Sequence, residues 1–257
     1  MNPVFLQIGP IVIRYYGLMY LISFLFAIYI ANLEIKRRGL GWNFEKYIDL
    51  MMYSFLLSIL GARIYYVIFT WSYYSKNLAD IVAIWKGGLA IHGGIVGAII
   101  GILVFSRMFK FNLWTVGDIS VLGLSLGQVF GRFGNFMNGD AHGVPTSLPW
   151  GVIFPSDTPA GMQFPDTPIH PVMLYEMVLD FVIFLMLWRL RKRPFKPGFL
   201  SMLYFILYSI IRFFVCFFRA DSLMLGPLKV AQVISILTIV VAGYIMYSRK
   251  LWETESL

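Results

Sequence analysis

Apolar residues run along this chain in blocks of about 20, and polar residues collect between the blocks. A helix rises about 1.5 Å per residue, so each block is long enough to cross a bilayer. The pattern predicts seven spans, at 15–33, 48–70, 88–106, 116–136, 172–190, 199–217 and 230–247. The runs are too long and too continuous for the alternating strands of an outer-membrane barrel. The expected fold is therefore an all-α, polytopic membrane protein, a single integral membrane domain over residues 1–257. No cluster of positive charge precedes the first run, so it is expected to be a retained helix and not a cleaved leader.

The polar intervals predict orientation. Thirteen basic residues, among them Lys36, Arg37, Arg38, Arg191, Lys192 and Arg193, fall in the intervals after the first, third, fifth and seventh spans, counting Arg189 at the last turn of the fifth. Five fall on the other side: Arg14, Lys76, Lys86, Arg219 and Lys229. Positive residues stay inside, so the N-terminus is expected outside and the C-terminus in the cytoplasm. Two outward intervals stand out. Residues 71–87 mix aromatics with Lys76, Asp80 and Lys86, which predicts an amphipathic helix along the interface. Residues 139–170 carry six prolines, which predicts an irregular but stiffened external cap.

Composition sharpens the class. The chain is 59% hydrophobic and only 13% charged, too little polar surface for a soluble domain of 257 residues. Its net charge of +8 is explained by topology, so no nucleic-acid partner is expected. The one cysteine, Cys216, excludes an internal disulfide.

The candidate chemistry lies where the spans are polar. The stretch GRFGNFMNGD at 131–140 puts Arg132 and Asn135 at the end of the fourth span, and an intramembrane arginine points to function. Tyr16, His92, Glu176 and Arg212 come to the same depth on four other spans, in the outer half. Gln128, Arg132 and Asn135 share one helical face, and Glu176 and Asp180 share another. Two readings of the arginines follow. Arg63, Arg132 and Arg212 pair with Asp118, Glu176 and Asp180 to fix helix packing, or they bind an anion. Asp118 lies near the cytoplasmic end, which leaves the cluster positive. An anion would complete it, and there the abundant anion is a lipid phosphate, which guanidinium grips with two parallel hydrogen bonds. His92 is either hydrogen-bonded to a neighbour or a general base. Tyr16 and Tyr20 fit an interfacial aromatic belt.

Other patterns carry less. Gly93, Gly97 and Gly101, like Gly123, Gly127 and Gly131, recur every four residues, which predicts close helix approach. GLSLG at 123–127 matches a serine-hydrolase pattern but lies mid-helix, where no strand-to-helix elbow forms. Neither H-E-x-x-H nor a Cys/His cluster occurs, so no metal is expected.

The stretch at 131–140 resembles the signature of the prolipoprotein diacylglyceryl transferase family. RYYGLMYL at 14–21, GGLAIHGGIVGA at 87–98, HPVMLYE at 170–176 and IIRFFVCFFR at 210–219 match in order, so the resemblance spans nearly the whole chain. It implies transfer of a diacylglyceryl group from phosphatidylglycerol to the lipobox cysteine of a bacterial preprolipoprotein signal peptide, in the cytoplasmic (inner) membrane and without cofactor. It implies functional roles for Tyr16, His92, Arg132, Asn135, Gly143, Glu176 and Arg212. Two positions depart from the family pattern. Asp140 stands where the signature commonly ends in glutamate, and Cys216 stands where the sixth span commonly carries one. An anion or lipid-headgroup transporter is the alternative reading, although no inverted repeat is visible.

Overall fold

The computed structural model describes residues 1, 3–9, 11–220, 223–226 and 228–254. Seven long helices occupy the seven predicted runs: α1 (Tyr15–Arg37), α2 (Phe44–Phe69), α4 (Ile91–Met108), α5 (Leu113–Asn138), α7 (Val172–Leu190), α8 (Phe199–Val215) and α9 (Val230–Ser248). Between them lie the short α3 (Trp71–Tyr74) and α6 (Pro159–Gln163). Six of the long helices are apolar and long enough to cross a membrane, α8 counting with its following turn. The other, α7, has the predicted bounds but carries Glu176, Asp180 and Arg189. Large apolar side chains such as Phe69, Ile91 and Tyr247 stand more than two-thirds exposed. Apolar surface on this scale is stable against lipid, not water. The chain is an all-α, multi-pass membrane protein.

Contacts divide it into two units, Met1–Ala31 with Gly117–Leu257, and Asn32–Val116. The second unit is built on α2 and α4. Asn43 caps α2 by accepting the Lys46 N–H at 3.2 Å. The glycine repeat of α4 lies against α2 without side chains between the backbones. A Cβ on Gly97 would collide with the Leu57 carbonyl, and one on Gly101 would lie 2.6 Å from Ser54 Cα. Lipid offers no hydrophobic drive for helix association, so backbone proximity and dispersion hold this pair.

Residues 71–87 differ from expectation. Instead of one amphipathic helix they form α3 and two 3₁₀ turns, Leu78–Val82 and Ile84–Lys86. Their carbonyls are drawn to Arg63, as described below. Trp71, Leu78, Val82 and Trp85 are exposed along the segment. Tyr73 and Lys86 both hydrogen-bond Asp80, at 2.6 and 2.7 Å, and the Lys86 bond holds the Asp80 carboxyl below its ordinary range.

In the first unit a hairpin precedes α1, β1 (Val4–Ile8) paired antiparallel with β2 (Ile11–Arg14). Asp118 of α5 caps α8. It accepts from Gly198 N, Ser201 N and Ser201 Oγ, each at 2.9 Å. It serves a helix start and does not belong to the arginine cluster. Ser125 of the GLSLG pattern is fully buried within α5 and donates to the Leu122 carbonyl at 3.1 Å. The segment between α5 and α7 is irregular, as its prolines predict. It folds around Phe154, Ala160, Ile169 and Met173. Thr158 caps α6 by accepting the Gly161 N–H at 3.2 Å.

The α2–α4 contact makes a specific demand on Gly97. Gly97→Ala lowers stability by about 1–3 kcal/mol through overpacking. Gly243→Ala, at a position with nothing within 4 Å, does not. Thermal unfolding of the two variants in detergent measures the difference, and equal midpoints would contradict it.

Candidate functional site

The start of α7 delivers a buried carboxylate to three arginines. Val172 and Met173 are fully buried and seat the helix, which leaves Glu176 facing inward at 2% exposure. Arg132, near the end of α5, places Nε 2.7 Å from Glu176 Oε2. Arg212, on the last turn of α8, places Nη1 2.7 Å from Oε1. Arg219, just beyond α8, reaches the same carboxylate at 3.4 Å. A buried ion is tolerated only when partners replace its lost hydration, and here both oxygens are engaged by guanidinium. The arginines are not equally covered. The Arg219 side chain is 7% exposed, whereas Arg132 and Arg212 are 16% and 23% exposed. Those two keep N–H donors for something besides Glu176.

Asp180, one turn further along α7, is 1% exposed, and neither of its oxygens has a hydrogen-bond partner among the described residues. With it counted, three guanidiniums face two carboxylates. The cluster therefore retains positive charge, and one anion would balance it.

A second polar group meets at the end of α5. Asn135 donates to the Tyr16 hydroxyl and to Asp140 Oδ1, the latter at 2.5 Å. Asn138 donates to Asp140 Oδ2 at 2.8 Å. Asp140 thus fixes two asparagine amides and, through Asn135, the Tyr16 hydroxyl of α1. On the same face of α5, Gln128 accepts from the Tyr204 hydroxyl at 2.8 Å. Tyr204 stacks on Tyr208, which hydrogen-bonds Arg132.

Gly143 closes the segment over Arg219. It forms a bridge with Arg219, and Val144 N donates to the Phe218 carbonyl at 2.9 Å. A Cβ there would collide with the His170 carbonyl and lie 2.6 Å from Val172 Cγ2. No side chain fits. Cys216 is fully buried, and its carbonyl accepts from Lys229 Nζ at 2.6 Å. Lys229 also donates to the Arg219 carbonyl at 2.9 Å, so it ties down the turn that carries this arginine.

The family model described as prolipoprotein diacylglyceryl transferase matches residues 3–248. The chain belongs to the prolipoprotein diacylglyceryl transferase family. It is 40% identical to the phosphatidylglycerol–prolipoprotein diacylglyceryl transferase of Fusobacterium nucleatum, over 96% of this chain and 97% of that one. It is 41% identical to the enzyme of that name from Geobacillus kaustophilus, over 98% and 94% of the two chains. It is 39% identical to that of Thermosynechococcus vestitus, over 93% and 89%. Membership in a transferase family decides between the transferase and transporter readings.

Of the residues singled out in the sequence, Tyr16, Arg132, Asn135, Asp140, Gly143, Glu176 and Arg212 come together in the first unit. His92 belongs to the second unit. It is exposed on the first turn of α4, its ring 5.9 Å from that of Tyr65. Arg219, one of the five basic residues of the outward intervals, is buried on Glu176. No local spacing marks it, because α8 ends at Val215 and Arg219 stands in extended backbone beyond a 3₁₀ turn.

Removing the shared carboxylate leaves three buried or half-buried cations facing one another. Glu176→Ala therefore costs about 3–5 kcal/mol. Thermal unfolding checks this, and an unchanged midpoint would show that the arginines are held by something else.

Proposed function

We propose that this chain transfers the diacylglyceryl group of phosphatidylglycerol to the lipobox cysteine thiol of a preprolipoprotein, releasing glycerol phosphate. The observation that carries the reading is that Arg132 and Arg212 converge within 2.7 Å of one buried carboxylate while their side chains stay partly exposed. Side chains held that closely can grip one phosphate. The names of the relatives supply the two substrates.

The reaction forms a carbon–sulfur bond and breaks a carbon–oxygen bond. A thiolate attacks the glyceryl carbon next to the phosphate ester, and the oxygen leaves with the electron pair as part of glycerol phosphate. Three demands follow. Charge developing on the leaving phosphate must be stabilised, and Arg132 and Arg212 do this by donating hydrogen bonds that need no reorganisation. The lipid must be aligned, and the Asn135 and Tyr16 pair, fixed by Asp140, orients it. The thiol, with an ordinary pKa of about 8.5, must lose its proton, and His92 is the base that accepts it. Glu176 holds the arginines, and Gly143 lets the chain close over Arg219. The enzyme works in the bacterial cytoplasmic (inner) membrane, with the site on the outer side, where the basic intervals opposite it keep the C-terminus inside. Lipid and signal peptide reach the site from the bilayer.

The direct test incubates purified protein with phosphatidylglycerol and a lipobox peptide and follows the diacylglyceryl mass increase. Arg132→Ala and Arg212→Ala each lower the rate by about 10²-fold or more while the protein stays folded. A wild-type rate from either overturns the role of that arginine. His92→Gln lowers the rate by about 10²-fold or more, and full activity would remove the base.

A further inference from the structure

Arg63 is a buried arginine that the transfer chemistry leaves unused. It lies on α2, 5% exposed, in the second unit. Among the described residues its hydrogen bonds go to backbone carbonyls and not to a carboxylate. Nε donates to Ile81 O at 2.9 Å, Nη1 to Gly87 O and Gly88 O at 2.6 and 2.8 Å, and Nη2 to Asp80 O and Ala83 O at 2.5 and 3.5 Å. A guanidinium has five N–H groups, and these bonds are five in number. A cavity of about 310 Å³ opens beside it, lined by Tyr66, Tyr73, Tyr74 and Lys86. With its donors filled, Arg63 has none to offer an anion there.

What the bonds fix is the chain entering α4. Irregular backbone at the edge of a membrane must have its carbonyls satisfied from within the protein, and Arg63 bonds those of Asp80, Ile81, Ala83, Gly87 and Gly88. Its neighbours on α2 continue the alignment residue by residue. Gly61 meets Gly93 backbone to backbone. The Ala62 carbonyl accepts the Ala90 N–H at 3.1 Å. The Tyr65 ring lies beside the His92 ring. His92 is therefore bracketed, with Arg63 holding Gly87 and Gly88 before it and Gly61 holding Gly93 after it.

We propose that Arg63 is a positioning residue for His92, clamping the backbone that leads into α4 so that the imidazole stands where transfer needs it. This rests on the reading of His92 as the base. Lysine keeps the charge but loses the planar fork that spans five carbonyls, so Arg63→Lys is not conservative here. The backbone before His92 then shifts, and a displacement of about 1 Å costs up to about 10²-fold in rate.

The test is a double-mutant cycle on the purified enzyme, with rate and lipid KM read separately and unfolding midpoints recorded. Arg63→Lys lowers kcat by about 10- to 100-fold with lipid KM unchanged. In a His92→Gln background the same substitution has less than about a threefold effect, because its route of action is already gone. An equal loss in both backgrounds overturns the proposal and marks Arg63 as a general structural staple. Full activity of Arg63→Lys beside a defective His92→Gln overturns the proposal alone. Full activity of His92→Gln removes the base reading and the proposal with it. If Arg63→Lys does not assemble, Gly88→Ala perturbs the same clamp with the arginine retained. Its Cβ would lie 2.6 Å from Arg63 Nη1 and 2.8 Å from Tyr66 Cε1, and the same cycle applies.

Discussion

One carboxylate holds the candidate site together. Glu176 draws guanidinium groups from α5, α8 and the turn after α8 onto its two oxygens, and without it those cations would repel one another in a medium that solvates them poorly. The geometry also separates the arginines by use. Arg219 is buried and pinned, with Lys229 holding its carbonyl and Gly143 lying across it. Arg132 and Arg212 are anchored but keep an open side. Anchoring makes the donors rigid, and rigid donors stabilise developing charge without having to rearrange.

The two units solve the same physical problem differently. In both, an arginine sits where a lone charge would be costly. In the first unit the compensation is ionic and leaves positive charge over, which suits an anionic headgroup. In the second, Arg63 is compensated chiefly by backbone carbonyls, with the Tyr74 ring against it, and is spent on shape. The close glycine contact of α2 with α4 continues that order toward His92. An arginine within an apolar run therefore has two meanings, and the partner, not the burial, tells them apart.

Much of this was legible in the sequence because it depends on period and depth. All seven apolar runs became helices, and α7 kept its predicted bounds despite three charged residues. The four-and-three spacing of Gln128, Arg132 and Asn135 put them on a face whose members do find partners on other helices. Pairing was not legible. Asp118 looked like a possible counter-ion for Arg63, Arg132 or Arg212 and caps α8. Arg63 looked like a member of an ion pair and instead binds carbonyls that irregular backbone brings to it. The same pull broke the expected interfacial helix at 71–87 into short turns. Arg219 was hidden because it lies past the end of α8, and the carboxylate it meets comes from another helix. Each miss concerns which partner a polar group meets across the fold, and local pattern does not encode that.

Two arginines that Glu176 orients are placed to share one phospholipid phosphate. The most direct measurement is an experimental structure of the protein with phosphatidylglycerol bound. Phosphate oxygens are expected within about 3 Å of the guanidinium nitrogens of both Arg132 and Arg212. A headgroup seated away from this pair, or touching only one of the two, would contradict it.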